Sequence, residues 1–339
     1  MSGPSYQVRT VHGSGRGLFA AVDIAEGETF LSEDPYFLVT LVSKHNVVTC
    51  NGCLKQFPAV LPHPRCGQKC GEHYCSDQCL VDDITRHERF GECAALQRIL
   101  PAQGELSVDD YNHLRGIAVL AARLKVEGHA DGLRAKAWRR GGAKAVHVLW
   151  GSDTPDEAGL WPLPDSSYAA LGRVNTNEAL FGEDQLVTFR DIHAKCTECS
   201  AAADSEEGSD DDSSGDESSD ANSRTASFSS PLPQISLEMF LRLSCAYQCN
   251  GFSVWNEYDK ETASGMYGMA AMVNHSCVPN IAKQYHGRRL VFVAKRSIQH
   301  DEELLLSYVD VKLGQNLRQW RFQNQYFFTC RCQRCDGKK

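Results

Sequence analysis

Asn274-His275-Ser276-Cys277-Val278-Pro279-Asn280, written NHSCVPN, sets a thiol two residues beyond an asparagine–histidine pair. Three more cysteines, Cys330, Cys332 and Cys335, follow near the C-terminus with the spacing C-x-C-x2-C. Four thiolates in this arrangement suit one tetrahedral zinc ion, with Cys277 reaching across from a sequence-remote segment. Such a metal would pin the C-terminal tail against the loop that carries Asn274 and His275. The expectation is a site assembled from distant pieces.

Two other stretches belong with it. Gly15-Arg16-Gly17-Leu18-Phe19-Ala20 permits close backbone approach at its glycines and offers a guanidinium to a carboxylate. Alone, such a G-x-G also reads as a strand-joining turn. Glu303-Leu304-Leu305-Leu306-Ser307-Tyr308 ends a strand-like run on a tyrosine, and Tyr326 and Phe328 precede the Cys330 cluster.

Between residues 50 and 93 the order is Cys50-x2-Cys53, Cys66-x3-Cys70, Cys75-x3-Cys79, then His87 and Cys93. Eight soft ligands in so short a segment make two four-coordinate zinc sites. Metal binding then supplies the folding free energy that a small core cannot. His63 and His73 read as ordinary exposed histidines, with replacement of a ligand of the second site as the alternative. Cys196-x2-Cys199 and Cys245-x3-Cys249 read as buried or free thiols rather than a fourth ligand set.

The chain has 339 residues and a formal net charge of −8. Nine acids between Asp204 and Asp220 carry that sign, and setting them aside leaves +1. No basic field argues for nucleic acid as the main partner. The N-terminus has no basic stretch followed by an apolar run, so no secretory signal is expected. The longest apolar stretch, Tyr36 to Val42, is too short to span a bilayer, so no membrane partner is expected. The chain's 15 cysteines then point to metal rather than disulfides, and to the nucleus or cytoplasm.

Strands are predicted at Tyr6–Val11, Gly17–Val22, Thr29–Leu31, Arg289–Ala294 and Glu303–Tyr308, with glycines 13, 15, 17 and 27 as punctuation. Ser107 and Ser236 read as helix starts. The first precedes Tyr111, Leu114, Ala118, Ala121 and Leu124 at helical spacing; the second precedes Leu237, Phe240, Leu241 and Tyr247. Residues 200–233 are Ser/Asp/Glu-rich and read as a disordered acidic loop, a solvated spacer or a docking strip for basic tails. Asp23-Ile24-Ala25-Glu26-Gly27-Glu28 echoes Ser297-Ile298-Gln299-His300-Asp301-Glu302, both as turns between strands.

Taken together, GRGLFA, NHSCVPN, ELLLSY and the two cysteine groups make the chain similar to the SET-domain protein lysine methyltransferases, in the branch with an inserted MYND zinc finger. That resemblance implies an α+β SET-domain fold of small β-sheets with an inserted MYND finger, a helical insertion and a zinc-bound post-SET segment. Its divisions are a SET N-terminal part at 1–49, MYND at 50–93, the insertion at 94–250, the SET core at 251–310 and the post-SET segment at 311–339. It interleaves the finger's ligands, Cys50, Cys53, Cys75 and Cys79 holding one ion and Cys66, Cys70, His87 and Cys93 the other, for about three zinc ions in all with the tail site. The Cys66–Cys70 and His87–Cys93 spacings are longer than the family pattern. The resemblance also implies S-adenosyl-L-methionine as cofactor, contacted by Gly15, Arg16, Gly17, Asn250, Ala271, Met272, Val273, Asn274, His275, Tyr308 and Phe328. Tyr308, Tyr326 and Phe252 take catalytic or channel roles. The implied partners are a protein or peptide presenting lysine and a proline-rich peptide at the finger. The C-terminal helical domain of several relatives has no counterpart here, which implies a more open cleft. The rival reading is a MYND-mediated interaction adaptor with an inactive SET fold.

Overall fold

The structure, a computed structural model, describes residues 4–12, 15–127, 160–161, 176–206 and 235–337. In chain order the elements are β1 (Tyr6–Val11), β2 (Gly15–Ala20), β3 (Thr29–Glu33), β4 (Phe37–Thr40), β5 (Val47–Thr49) and β6 (Gln56–Pro58). Helices α1 (Asp77–Arg89), α2 (Glu92–Ile99) and α3 (Val108–Val126) follow, then β7 (Leu160–Trp161), α4 (Glu183–Glu206) and α5 (Leu237–Asn250). The chain returns to strands in β8 (Gly251–Trp255), β9 (Glu261–Met266), β10 (Asn274–His275), β11 (Ile281–His286), β12 (Arg289–Ala294) and β13 (Leu305–Leu306). It closes with α6 (Gln315–Arg321) and a π-helical turn, Phe322–Tyr326.

The two predicted helix starts are N-caps. Ser107 Oγ accepts from Asp110 N at 3.1 Å and Ser236 Oγ accepts from Met239 N at 3.3 Å, each satisfying a donor that the first helical turn leaves open. The echo between residues 23–28 and 297–302 is structural as well. Gly27 and Asp301 both adopt positive φ, +81° and +68°. Glu28 and Glu302 each accept a backbone N–H within their own turn, from Ala25 and Gln299. Ile24 and Ile298 exchange both backbone hydrogen bonds, at 2.8 and 2.9 Å, so the turns face each other.

The strands form small sheets: β2–β1–β7, β11–β12–β3, β4–β9–β8, the β5–β6 hairpin and the parallel pair β10–β13. β2 starts at Gly15, two residues before its apolar run predicts. The strand expected over Glu303–Tyr308 contracts to Leu305–Leu306 because the segment is threaded between two partners. Leu304 N donates to Leu18 O on one side, while Ser276 N donates to Leu306 O on the other. Asn280 completes the passage: Oδ1 accepts from Leu305 N at 2.7 Å and Nδ2 donates to Glu303 O at 2.8 Å.

Helix α4 runs through Ser200–Glu206, so the disorder expected from residue 200 is corrected there; the rest of the acidic stretch, 207–233, lies outside the described residues. Two main cores result. One joins α2, α3, α4 and α5 to β4 and the zinc module; the other lies among the strands around Val8, Leu18, Ile24, Leu290 and Phe292. A third, small cluster of Cys277, Phe322 and Cys330 holds the tail.

His113 of α3 stacks on Phe189 of α4, 4.9 Å between centroids and 8° between planes. Burial pushes its imidazole down to about 4 from the ordinary 6.5. The unfolded chain takes up this proton below pH 6.5 and the folded chain only near pH 4, so the contribution present above pH 6.5 is lost on acidification through that window. Its full size is about 3 kcal/mol. In His113→Phe, urea midpoints are expected to fall less steeply than in the parent between neutral pH and pH 4.5.

Candidate active site

All fifteen cysteines are free thiols. Twelve ligand atoms gather into three sets: Cys50, Cys53, Cys75 and Cys79; Cys66, Cys70, His87 and Cys93; Cys277, Cys330, Cys332 and Cys335. Within each set all ligand atoms lie within 4.8 Å of one another. Sulfur pairs such as Cys53–Cys75 at 3.6 Å, Cys66–Cys93 at 3.5 Å and Cys277–Cys335 at 3.7 Å are far beyond disulfide length. They match the edge of about 3.8 Å that a tetrahedron with Zn–S of about 2.3 Å requires. Each set fits one zinc ion; the longer His87–Cys93 spacing is spanned by the end of α1 and the start of α2, and the longer Cys66–Cys70 spacing by a loop with Lys69 at positive φ. His63 and His73 pair with each other, Nε2 to Nδ1 at 2.7 Å, outside the three sets. They are half-buried rather than exposed, a correction that follows from this mutual bond. Among the described residues Cys196, Cys199, Cys245 and Cys249 join no ligand set.

Supporting groups surround the second and third sets. Glu92 Oε2 lies 3.6 Å from His87 Nδ1, the ring nitrogen opposite the one facing Cys70. Burial opposes ionisation of Glu92, yet Arg86 prevails and holds its carboxyl at about 2. Arg318 of α6, 2% exposed, brings Nη2 to 3.8 Å from Cys335 Sγ and offsets the negative charge of four thiolates.

The third set abuts the pocket formed by NHSCVPN. His275 Nδ1 accepts from the backbone N–H of Tyr308 at 3.0 Å, which puts the ring proton on Nε2. Nε2 then points at Cys277 Sγ, 3.4 Å away. Burial, reinforced by Arg318, pushes the imidazole down to about 4, so the ring is neutral at pH 7. It also lies 4.3 Å from the Phe322 ring and 5.9 Å from that of Phe328. His275 therefore links a metal thiolate to the backbone of Tyr308.

Asn274 is held just as firmly. Nδ2 donates to Arg16 O and to Glu303 Oε1, both at 2.9 Å. With both hydrogens committed, Oδ1 is the atom left to accept from a ligand. Gly17 is required beside it, since a Cβ there would lie 2.7 Å from Glu303 Oε1 and 2.8 Å from Asn274 Nδ2. Gly15, at φ +79°, opens the same strand. Ala271, Met272 and Val273 form the turn leading into Asn274, and Val273 O accepts from the Tyr308 hydroxyl at 2.5 Å.

Tyr308, Tyr326 and Phe328 form an aromatic wall, with the Tyr308 ring 5.0 Å from Tyr326 and 6.3 Å from Phe328, edge-on to the latter. Phe327 takes positive φ, +59°, between Tyr326 and Phe328. Asn250 ends α5 with Nδ2 donating to Ala246 O at 2.8 Å. Cys249 Sγ, 3.9 Å from Gln325 O, brings that helix end beside the tail. Phe252 stands apart from the wall, its ring meeting Tyr267 edge-on at 5.6 Å and the Lys283 ammonium at 5.6 Å. Glu303 stands at the head of ELLLSY, but its role depends on a fold contact with Asn274 that sequence spacing does not show. Arg318 and Glu92 carried no sequence signal, because an amphipathic helix position and a salt-bridged acid look alike from composition.

The SET-domain family profile matches residues 15–309, and the chain belongs to that family. It is similar to a SET and MYND domain-containing protein of Dictyostelium discoideum, 22% identical over 98% of this chain and 81% of that protein. It is also similar to SET domain and MYND-type zinc finger protein 6 of Schizosaccharomyces pombe, 32% identical over 30% of this chain and 21% of the other. A third relative is N-lysine methyltransferase SMYD2 of Homo sapiens, 37% identical over 26% of this chain and 21% of that protein. The latter two matches thus span about a fifth of the relatives' length. A solved SET domain of LSMT bound to lysine and AdoHcy aligns over 97% of this chain and 54% of that one, with TM-score 0.44 and 11% identity.

Purified protein is expected to carry three equivalents of zinc, one for each ligand set, by inductively coupled plasma mass spectrometry. His275→Phe keeps an aromatic ring at Phe322 but loses both hydrogen bonds. Zinc transfer from this variant to a chelating dye is expected to quicken about tenfold for one equivalent only. Release unchanged for all three would refute the linkage.

Proposed function

We propose that this protein is an S-adenosylmethionine-dependent protein lysine N-methyltransferase acting on a histone or non-histone lysine. The observation that carries the reading is the convergence of Arg16 O, Asn274, His275, Tyr308, Tyr326 and Phe328 from four separate segments. Family membership and the N-lysine methyltransferase among its relatives support it.

S-adenosylmethionine supplies a methyl group activated on a sulfonium. The residues fit such a ligand: Oδ1 of Asn274 is turned to accept an N–H, and Gly15–Gly17 keeps backbone close to the same place. The acceptor lysine must be neutral to attack, at a cost of about 4 kcal/mol near pH 7.4. An aromatic, water-poor wall disfavours the ammonium and lowers that cost. Burial pushes the phenols of Tyr308 and Tyr326 above their ordinary range, so both stay protonated. Tyr308 spends its hydrogen on Val273 O and keeps its oxygen lone pairs for the channel. It orients and polarises the reacting groups and does not serve as their base. Phe252 and Asn250 take channel and cofactor roles by family position. The zinc module, with exposed Val60 and Leu61, takes the proline-rich peptide docking its resemblance implies.

Labelled cofactor incubated with a histone and proteome panel is expected to mark lysine side chains, identified by mass spectrometry. Tyr308→Phe is expected to lower transfer about 100-fold or more with cofactor affinity retained. Transfer by Tyr308→Phe as fast as the parent's would remove Tyr308 from the orienting role, and no lysine labelled by the parent would favour the adaptor reading.

A further inference from the structure

Phe252 of β8, Tyr285 of β11 and Tyr267 form a shelf of aromatic rings. Phe252 meets Tyr267 edge-on, 5.6 Å between centroids, and Tyr267 lies 6.3 Å from Tyr285. The Tyr285 hydroxyl donates to Ser253 O at 3.2 Å and ties β11 to β8. Lys283 stands two residues before Tyr285, so both side chains leave β11 on the same face. Its ammonium lies 5.6 Å from the centre of the Phe252 ring and 6.0 Å from that of Tyr285.

Among the described residues Lys283 makes no hydrogen bond and no ion pair, and Glu261 of β9 is the acid whose charge reaches it. The ring faces offset part of its lost hydration, but its N–H donors have no protein acceptor. Burial accordingly pulls Lys283 below the ordinary lysine range despite Glu261. The side chain is half-buried, and its ammonium is not closed off from solvent. The shelf also adjoins the candidate active site. Tyr267 O accepts from Ala271 N at 2.9 Å at the root of the turn into Asn274, and Val273 of that turn takes the Tyr308 hydroxyl. From the other direction, α5 passes Gln325 at Cys249, and β8 brings in Phe252 three residues on.

We propose that Lys283 is a specificity-determining residue, selecting protein or peptide substrates that carry an acidic side chain close to the target lysine. This deepens the methyl-transfer reading and rests on it through the channel role of Phe252. A lysine approaching along Phe252 brings its positive charge toward another that no ion pair neutralises. A segment rich in basic residues is repelled there. One with a neighbouring carboxylate completes the Lys283 donors and cancels the repulsion. The surrounding rings, less polar than water, strengthen both effects.

The test compares fluorescently tagged, lysine-centred peptides on an alanine background, with Asp, Ala or Arg at each flanking position in turn. Binding to the zinc-loaded full chain with S-adenosylhomocysteine is read by anisotropy, and transfer from labelled S-adenosylmethionine is read on the same peptides. At one or more flanking positions Asp is expected to bind about tenfold tighter than Ala, and Arg more weakly than Ala, with the preference shrinking as salt rises. Lys283→Met keeps the apolar stem and removes a poorly hydrated charge, so it should fold at least as stably and bring the Asp-to-Ala ratio to about one. Lys283→Glu should favour Arg over Asp. Equal or undetectable binding across the peptides, or an acid preference that survives in Lys283→Met, would overturn the proposal. Acid-selective binding without methyl transfer would uphold selection by Lys283 and strike the methyl-transfer reading instead.

Discussion

The tetrahedron of Cys277, Cys330, Cys332 and Cys335 is the constraint on which the pocket depends. The tail it holds buries only a small cluster, Cys277, Phe322 and Cys330, too little to fix its position by apolar contact. Metal ligation substitutes for that missing core. Its consequence reaches the pocket by a short route. Cys277 meets His275 Nε2, His275 Nδ1 holds the Tyr308 amide, and Phe322 and Phe328 flank the imidazole. Tail, histidine and tyrosine thus move as one unit.

The zinc module shares the first apolar core and is also anchored by buried polar contacts. Arg288, in the β11–β12 turn region, donates to Asn51 O, Asn51 Oδ1 and Leu38 O at 2.9, 3.1 and 2.8 Å. Arg115 does the equivalent from α3 to Glu72. Burial pulls Arg288 below the ordinary guanidinium range, with Arg86 adding to it. Charges placed so deep are strongly direction-dependent and fix one docking angle, where an apolar face would tolerate sliding.

Much of this was legible in the sequence because the deciding constraints are local or covalent in character. Cysteine spacing announces zinc whatever the fold, and all twelve expected ligands gather into the sets that spacing and resemblance suggested. Ser107 and Ser236 announce helix starts because capping needs only the next three residues. The echo at Gly27 and Asp301 was readable because a left-handed turn restricts residue type, even with aspartate in one copy. What was hidden depends on contacts between remote segments. Glu303 acquires its role only where Asn274 and Gly17 meet it, and the Glu303–Tyr308 strand contracts because Leu18 and Ser276 claim opposite sides of it. The half-buried His63–His73 pair is hidden for the same reason.

The electrostatics of the pocket also argue against acid–base work by its own side chains. Burial raises both Tyr308 and Tyr326, and it raises Glu303 despite the opposing bond from Asn274. Burial lowers His275 to about 4. The two phenols and the imidazole are thus neutral at pH 7 and act as fixed dipoles. A wall of this kind suits a reaction in which one partner already carries positive charge and the other must shed a proton before arrival. For the proposed methyl transfer, that leaves orientation, desolvation and the lone pairs of Tyr308 as the contributions of these residues.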